Sequence, residues 1–475
     1  MRLKMAFIRY KQRNNKWYAY EITAIWDFAS KTPKQKTRYL GVCNSKGGEI
    51  VKCENKPSVQ CEKSIVDFGD SYVINQVAEN HGFINVLKTT FEDFDTIMTL
   101  VCYQMTEGSA MYNCKEWAEG NIASRLFPKA KLGSQNISRL LNYLGQDHIQ
   151  RKFFRTYIDK FFKDTHSVLI DSTSLPSSIN NSLNNWGHSA DGIDQKVSCL
   201  MLVDKSSKLP IYFRAIPGEI ADVSTLKITM DQVKKLGLKS ESAILDAGYF
   251  SEENIDYLCK ENTDFVSRMP RSRKQFKQLV SQVVNLESRI NAIRYGKRVV
   301  FIKSQEIELY GHKMFAHIIL DPDKKAKDTN RVLKAAFEDE ESEEDTNLKM
   351  QHCGYFILIS RNFILREYIL PTYYTRQSIE QVFGFAKSCN SILPLRVHSE
   401  ESIQGYLLLV FLSLVIFITI RQKLQLKFTV DEALLISRNL KAKIYDKEAV
   451  ILEPNKKFKD IANLLKVIVP TSLGI

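Results

Sequence analysis

Val168-Leu169-Ile170-Asp171 opens the part of the chain whose reading decides the fold. It is a short apolar run, the length of a buried strand, closed by a carboxylate. Val197-Ser198-Cys199-Leu200-Met201-Leu202-Val203 and Ile211-Tyr212-Phe213-Arg214-Ala215-Ile216 read as two further strands. Val223 to Lys235 reads as a helix and Ala243-Ile244-Leu245-Asp246 as a fourth strand. Ser251 to Lys260 is a second helix and Phe265-Val266-Ser267-Arg268 a fifth strand. Three strands, helix, strand, helix, strand is a mixed α/β order.

Outward from this unit the character changes. Residues 1–60 read as strands, notably Trp17 to Ile22 and Thr37 to Gly41, with aromatics interleaved with Lys and Arg. Such a segment is either a small solvated sheet or a nucleic-acid surface. Residues 61–165 read as helical. Ile137, Leu140, Leu141 and Leu144 recur at i, i+3, i+4, i+7, with Ser134 as the expected N-cap. A helix-turn-helix is one reading of this region; an ordinary helical bundle is the commoner source of the same pattern. Residues 268–360 read as β-rich around Arg298–Lys303 and His312–Leu320, followed by a solvated acidic run over Glu338–Asp345. Helical character returns from Tyr373. Ser402 to Ile420 is uncharged and nearly long enough to span a membrane, but its Gln404, Gly405, Ser413 and Thr419 favour a buried core helix.

Composition bounds the function. The 475 residues are 44% hydrophobic and 25% charged, which excludes disorder and a disulfide miniprotein. Net charge is +13, and residues 1–39 hold ten Lys/Arg against two acids, so a polyanionic partner is expected. Nine cysteines with no C-x-x-C pair argue against disulfides and structural zinc and fit a reducing cytoplasm. No apolar segment of signal-peptide type opens the chain. Gly41, Gly47 and Gly48 form no phosphate-cradling loop ahead of a helix, so an ATP site is not expected.

Three carboxylates carry the candidate chemistry. Asp171 and Asp246 each close a strand, and the carboxyl ends of parallel strands are where ligands bind in open α/β sheets. Glu380 lies on the helix expected to begin near Tyr373. Together they make an oxygen-rich donor set suited to Mg²⁺. Tyr373, Arg376, Glu380 and Lys387 fall on one helical stripe about 60° wide. Such a stripe either binds metal and phosphates together or is an ordinary exposed face with an Arg376–Glu380 pair. Asp222 reads as an N-cap; Asp191 and Asp194 read as solvated, and would be the substitutes if Asp171 were not a ligand. His188 and His398 lack a metal-ligand partner at helical spacing.

These segments resemble the DDE transposases of bacterial insertion sequences, in the group marked by a Y-R-E-K helix, the insertion-sequence-four superfamily. Val168 to Thr173 is similar to the first-Asp strand, Ala243 to Tyr249 to the second, and Tyr373, Arg376, Glu380 and Lys387 to the signature helix. Gly187 to Gly192, Pro217 to Thr225 and Lys36 to Gly41 look related. The resemblance implies an RNase H-like catalytic core, interrupted by a β-rich insertion, with an N-terminal β segment and a helical DNA-binding region. The boundaries expected are 1–60, 61–165, 166–267 (first core part), 268–360 (insertion), 361–430 (second core part) and 431–475 (tail).

It also implies that Asp171, Asp246 and Glu380 are catalytic and hold two Mg²⁺ ions, for which Mn²⁺ can substitute. Tyr373, Arg376, Lys387 and Arg396 would contact DNA. The expected activity is cutting element ends by phosphodiester hydrolysis and joining the 3′-OH ends to target DNA. The expected partners are double-stranded DNA, both terminal inverted repeats and target, and a second copy of the chain on DNA, with no membrane and a cytoplasmic, nucleoid-associated location. The alternatives are a non-catalytic DNA-binding protein, such as a decayed transposase or repressor, and a stand-alone RNase H-like nuclease. Some members stack a flipped base on a Trp of the insertion; all four Trp here lie outside residues 271–360, which leaves Tyr295 or Tyr310 for that task.

Overall fold

The computed structural model describes residues 6–13, 16–27, 32–50, 62–177, 183–189, 192–220, 222–338, 342–388, 397 and 399–474. Two compact units divide the chain: one comprises residues 1–64 and 444–448, the other residues 65–443 and 449–475. In the first, β1 (Ala6–Arg13), β2 (Lys16–Asp27) and β3 (Thr32–Cys43) form an antiparallel sheet in that order. The remaining elements begin with β4 (Ser64–Asp67).

The second unit starts with helices: α1 (Gly69–Asn80), α2 (Phe83–Thr90), α3 (Phe94–Thr106), α4 (Cys114–Glu119), α5 (Ala123–Leu126), α6 (Ser134–Leu144) and α7 (Asp147–Phe161). In α6 the four residues at helical spacing are the four that are buried. Its N-cap is Gly133, not Ser134 as expected: Ser134 is already the first helical residue, and no side chain caps the turn.

The chemistry-bearing segment forms β5 (Thr165–Pro176), β6 (Asn185–Ser189), β7 (Gly192–Asp204), β8 (Pro210–Pro217), α8 (Leu226–Lys235), β9 (Lys239–Leu245), α9 (Glu252–Lys260) and β10 (Asp264–Met269). β5 runs five residues past Asp171, so Asp171 sits mid-strand instead of closing it. The cause is the long partner β7, which continues to pair Ser172 with Leu200 and Leu175 with Val197. A 3₁₀ turn at Asp222–Ser224 precedes α8, whose N-cap is Thr225 and not the expected Asp222.

The next segment supplies α10 (Lys274–Gln282), β11 (Ala292–Tyr295), β12 (Arg298–Leu309), β13 (His312–Leu320), α11 (Pro322–Glu338), α12 (Glu343–Met350) and β14 (Tyr355–Ser360). Its strands extend the same sheet. The sheet has ten strands in the order β11-β12-β13-β14-β10-β9-β5-β7-β6, with β8 also on β7. β5, β9 and β10 are parallel; β7 and β14 join them antiparallel.

The chain ends with α13 (Arg366–Tyr374), α14 (Gln377–Ser388), α15 (Glu400–Leu424), α16 (Val430–Arg438), β15 (Lys441–Ile444), β16 (Glu448–Ile451), α17 (Lys456–Leu465) and β17 (Ser472–Gly474). Among the described residues α15 is the one helix long and apolar enough to cross a membrane, and 89% of its apolar window is buried inside the fold. It packs on α3, α6, α14, α17 and β8. Two glycines permit its closest crossing. A Cβ on Gly405 would stand 1.9 Å from the Leu141 carbonyl oxygen, and one on Gly145 would stand 1.8 Å from that of Glu401. α14 lies between α15 and β5, and this sets Glu380 beside the sheet.

Candidate active site

The register of two strands brings the two aspartates together. Ile170 of β5 is opposite Leu245 of the parallel strand β9, so the next residues, Asp171 and Asp246, leave that pair side by side. Adjacent strands are only about 4.8 Å apart. Val168, Leu169 and Ile170 and their partners Ala243, Ile244 and Leu245 are all buried, which fixes the register that holds the carboxylates. Glu380 arrives from one turn inside α14, whose Ile379, Val382, Phe383 and Ala386 are buried.

One guanidinium joins all three acids. Arg376 donates from Nη1 to Asp171 Oδ2 at 2.6 Å and from Nη2 to Glu380 Oε1 at 2.7 Å. The same Nη2 lies 3.9 Å from Asp246 Oδ1. Burial alone, the largest influence on Arg376, disfavours its charge. Asp171, Asp246, Tyr373 and Glu380 together outweigh that and raise its pKa. Side-chain exposure rises from 14% at Asp171 through 37% at Asp246 to 52% at Glu380. The site therefore opens to solvent on the Glu380 side. The backbone N–H of Ser172 donates to Asp171 Oδ1 at 3.0 Å.

The stripe expected on one helix is divided between two. α13 ends at Tyr374 and α14 begins at Gln377, with Arg376 in the turn between. Pro371 within α13 has no N–H to donate, and the turn closes by short bonds from Arg376 N to Tyr373 O and from Ile379 N to Arg376 O. Tyr373 is buried, and its hydroxyl donates to Asp246 Oδ1 at 3.2 Å. Burial and the neighbouring Asp246 both push that phenol up, so it stays protonated. Here Tyr373 and Arg376 bond to the carboxylates, where sequence reasoning expected them to hold phosphates.

Lys387 sits elsewhere on the same helix. It lines a narrow apolar cavity with Cys199, Met201, Phe383 and Phe411, where burial lowers its pKa. Burial pushes the Cys199 thiol up to about 12. Arg396, His398 and Asp191 lie outside the described residues, as do the side chains of His188, Asp194 and Asp222. Tyr295, one of the two stacking candidates, has its ring on Tyr374, centroids 5.5 Å apart and 22° between planes, with the Arg298 guanidinium 5.5 Å from its centroid. Tyr374, edge-on to Tyr373, was missed by sequence reasoning; an aromatic beside the signature Tyr was the available signal. Tyr310 occupies a left-handed turn position between β12 and β13.

As the side chains stand, no three His, Cys, Asp or Glu among the described residues are close enough to hold one ion. Arg376 accounts for this, because its guanidinium fills the space between the three acids. By donor chemistry the three carboxylates fit a hard divalent cation, provided that Arg376 withdraws. Three acids from two strands and a helix, joined by one guanidinium, thus make a cluster of oxygen donors at this mixed α/β sheet.

Residues 164–416 match the family described as transposase DDE domain. That is more than half of the chain and includes Asp171, Asp246 and Glu380; the chain belongs to this family. It is also similar to a solved structure described as the cryo-EM structure of a piggyBac transposase synaptic complex with hairpin DNA. The identity is 10% and the TM-score 0.40, over 84% of this chain and 76% of that one. A comparison with curated protein sequences gives no match.

Proposed function

We propose that this chain is the DNA transposase of a bacterial insertion sequence of the Y-R-E-K group, cutting element ends and joining their 3′-OH groups to target DNA. The observation that carries the reading is the meeting of Asp171, Asp246 and Glu380 on Arg376, from two strands and a helix far apart in the chain. The strand order β8-β7-β5-β9-β10, antiparallel then parallel, supports an RNase H-like core built from residues 166–267 and 361–430.

Asp171, Asp246 and Glu380 would hold two Mg²⁺ or Mn²⁺ ions. Such ions, when bound, lower the pKa of an attacking water and stabilise a leaving 3′-oxygen. The protein's own groups do the rest. Tyr373 holds Asp246 by its hydroxyl, and the Ser172 N–H holds Asp171, which fixes two of the three donors. Arg376 is placed to exchange a carboxylate partner for a backbone phosphate, since guanidinium suits either oxyanion. The partners proposed are double-stranded DNA at terminal inverted repeats and target, with two copies of the chain acting together in the cytoplasm. The test is a Mg²⁺-dependent nicking assay on a duplex bearing the repeats that flank this reading frame. Activity of the full chain without divalent ions would refute the reading.

A further inference from the structure

The three-stranded sheet of the first unit carries a surface that the carboxylate site does not use. The register places Arg9 opposite Tyr20, Lys11 opposite Tyr18, and Tyr20 opposite Tyr39, so these residues share one face. Contacts agree: Tyr39 lies 5.3 Å from Tyr20 and 6.3 Å from Tyr18, Arg9 stands over Phe7, and Lys11 over Tyr20. Phe7 is 49% exposed and Tyr39 42%. Arg9, Lys11 and Arg13 are exposed along β1, the edge strand. No acidic residue occupies a register position of this face; Glu21 is on the other, near Arg38.

We infer that this face is a docking surface for duplex DNA: a row of cations on β1 contacts one phosphate backbone while Tyr18, Tyr20 and Tyr39 of β2 and β3 face the groove. Charge is the first argument, because three cations at alternate positions stand about 7 Å apart along a free edge, as a line of phosphates demands. Shape is the second. The major groove is about 12 Å wide and admits a two-stranded β-ribbon, and β2 and β3 form one, with β1 along its rim. Single strands are disfavoured by the rings themselves. Stacking platforms need open ring faces, but these rings tilt into one another at 36° and 49°, and Tyr18 and Tyr20 are half-buried. The inference rests on DNA being the substrate and adds where the chain grips it.

The test measures binding of the full chain to a labelled duplex, and to a single strand of equal length, across salt concentrations. The triple variant Arg9→Gln, Lys11→Gln, Arg13→Gln is compared with a control that removes three exposed lysines of α17, Lys456, Lys457 and Lys459. Three lost phosphate contacts should flatten the log–log salt slope by about 2.7 and weaken duplex binding roughly a hundredfold at moderate salt. The control should change neither by half as much. Tyr39→Ser should weaken duplex binding at every salt with the slope unchanged. A triple variant indistinguishable from the control, or a loss confined to single strands, overturns the inference while leaving DNA as the substrate. A wild-type chain that binds no duplex overturns both.

Discussion

Arg376 Nη1 and Asp171 Oδ2 are 2.6 Å apart, bridging 205 residues of sequence. This pair ties the turn between α13 and α14 to the middle of β5. Its guanidinium also bonds Glu380 and lies 3.9 Å from Asp246, in the space a cation would need. We predict that Arg376→Gln tightens Mn²⁺ binding several-fold, because the space between the carboxylates is vacated, and lowers nicking by at least ~100-fold, with the fold intact. Manganese titration by electron paramagnetic resonance measures the first effect; an affinity equal to or weaker than wild type would show that the guanidinium does not compete with the ion for the three acids.

Tyr373 acts through Asp246. Tyr373→Phe removes one hydroxyl from a buried ring and keeps its packing, so stability should fall by only about 1 kcal/mol. Nicking should drop about tenfold in kcat with DNA affinity unchanged. A loss appearing in DNA affinity instead would return Tyr373 to a phosphate-binding role.

His317 gives a pH prediction far from the site. It is fully buried between Ser304 Oγ at 2.7 Å and Ser360 Oγ at 2.9 Å, and burial lowers its pKa to about 4. The unfolded chain, with a His pKa near 6.5, binds the extra proton first as pH falls. Stability from this group is therefore complete above about 6.5, declines towards 4, and is constant below. The decline should amount to at most about 3 kcal/mol. Thermal melts of wild type and His317→Gln should converge as pH falls through that window; parallel curves would contradict the assignment.

Gly405→Ala tests the crossing of α6 and α15. Its Cβ would collide with the Leu141 carbonyl oxygen, which is backbone and cannot rotate away. The helices must separate, at a cost of about 1–3 kcal/mol. A melting temperature equal to wild type would show that the crossing is looser than described.

Much of this was legible in the chain, for identifiable reasons. Val168-Leu169-Ile170 and Ala243-Ile244-Leu245 are buried on both faces, so their apolar runs announce strands whatever their neighbours. Ile137 to Leu144 show the spacing of a half-buried helix. The three acids were legible as candidates because each stands inside a recognisable local motif. What was not legible depends on partners distant in sequence. The extension of β5 past Asp171 is imposed by β7, and the joining of β12, β13 and β14 to the core sheet follows from pairings that alternation cannot encode. The turn between Tyr374 and Gln377 was hidden because the stripe assumed unbroken helical rotation. Lys387 shares that stripe yet lines an apolar cavity.

The central claim is that Asp171, Asp246 and Glu380 act together on a phosphodiester. Its most direct test is Mg²⁺-dependent nicking of an end-bearing duplex by Asp171→Asn, Asp246→Asn and Glu380→Gln, with duplex affinity measured in parallel. Each variant should lose at least ~1000-fold in nicking, the double variants should lose little more than the singles, and affinity should remain within about threefold of wild type. Nicking that survives in any one of the three at near wild-type rate would contradict it.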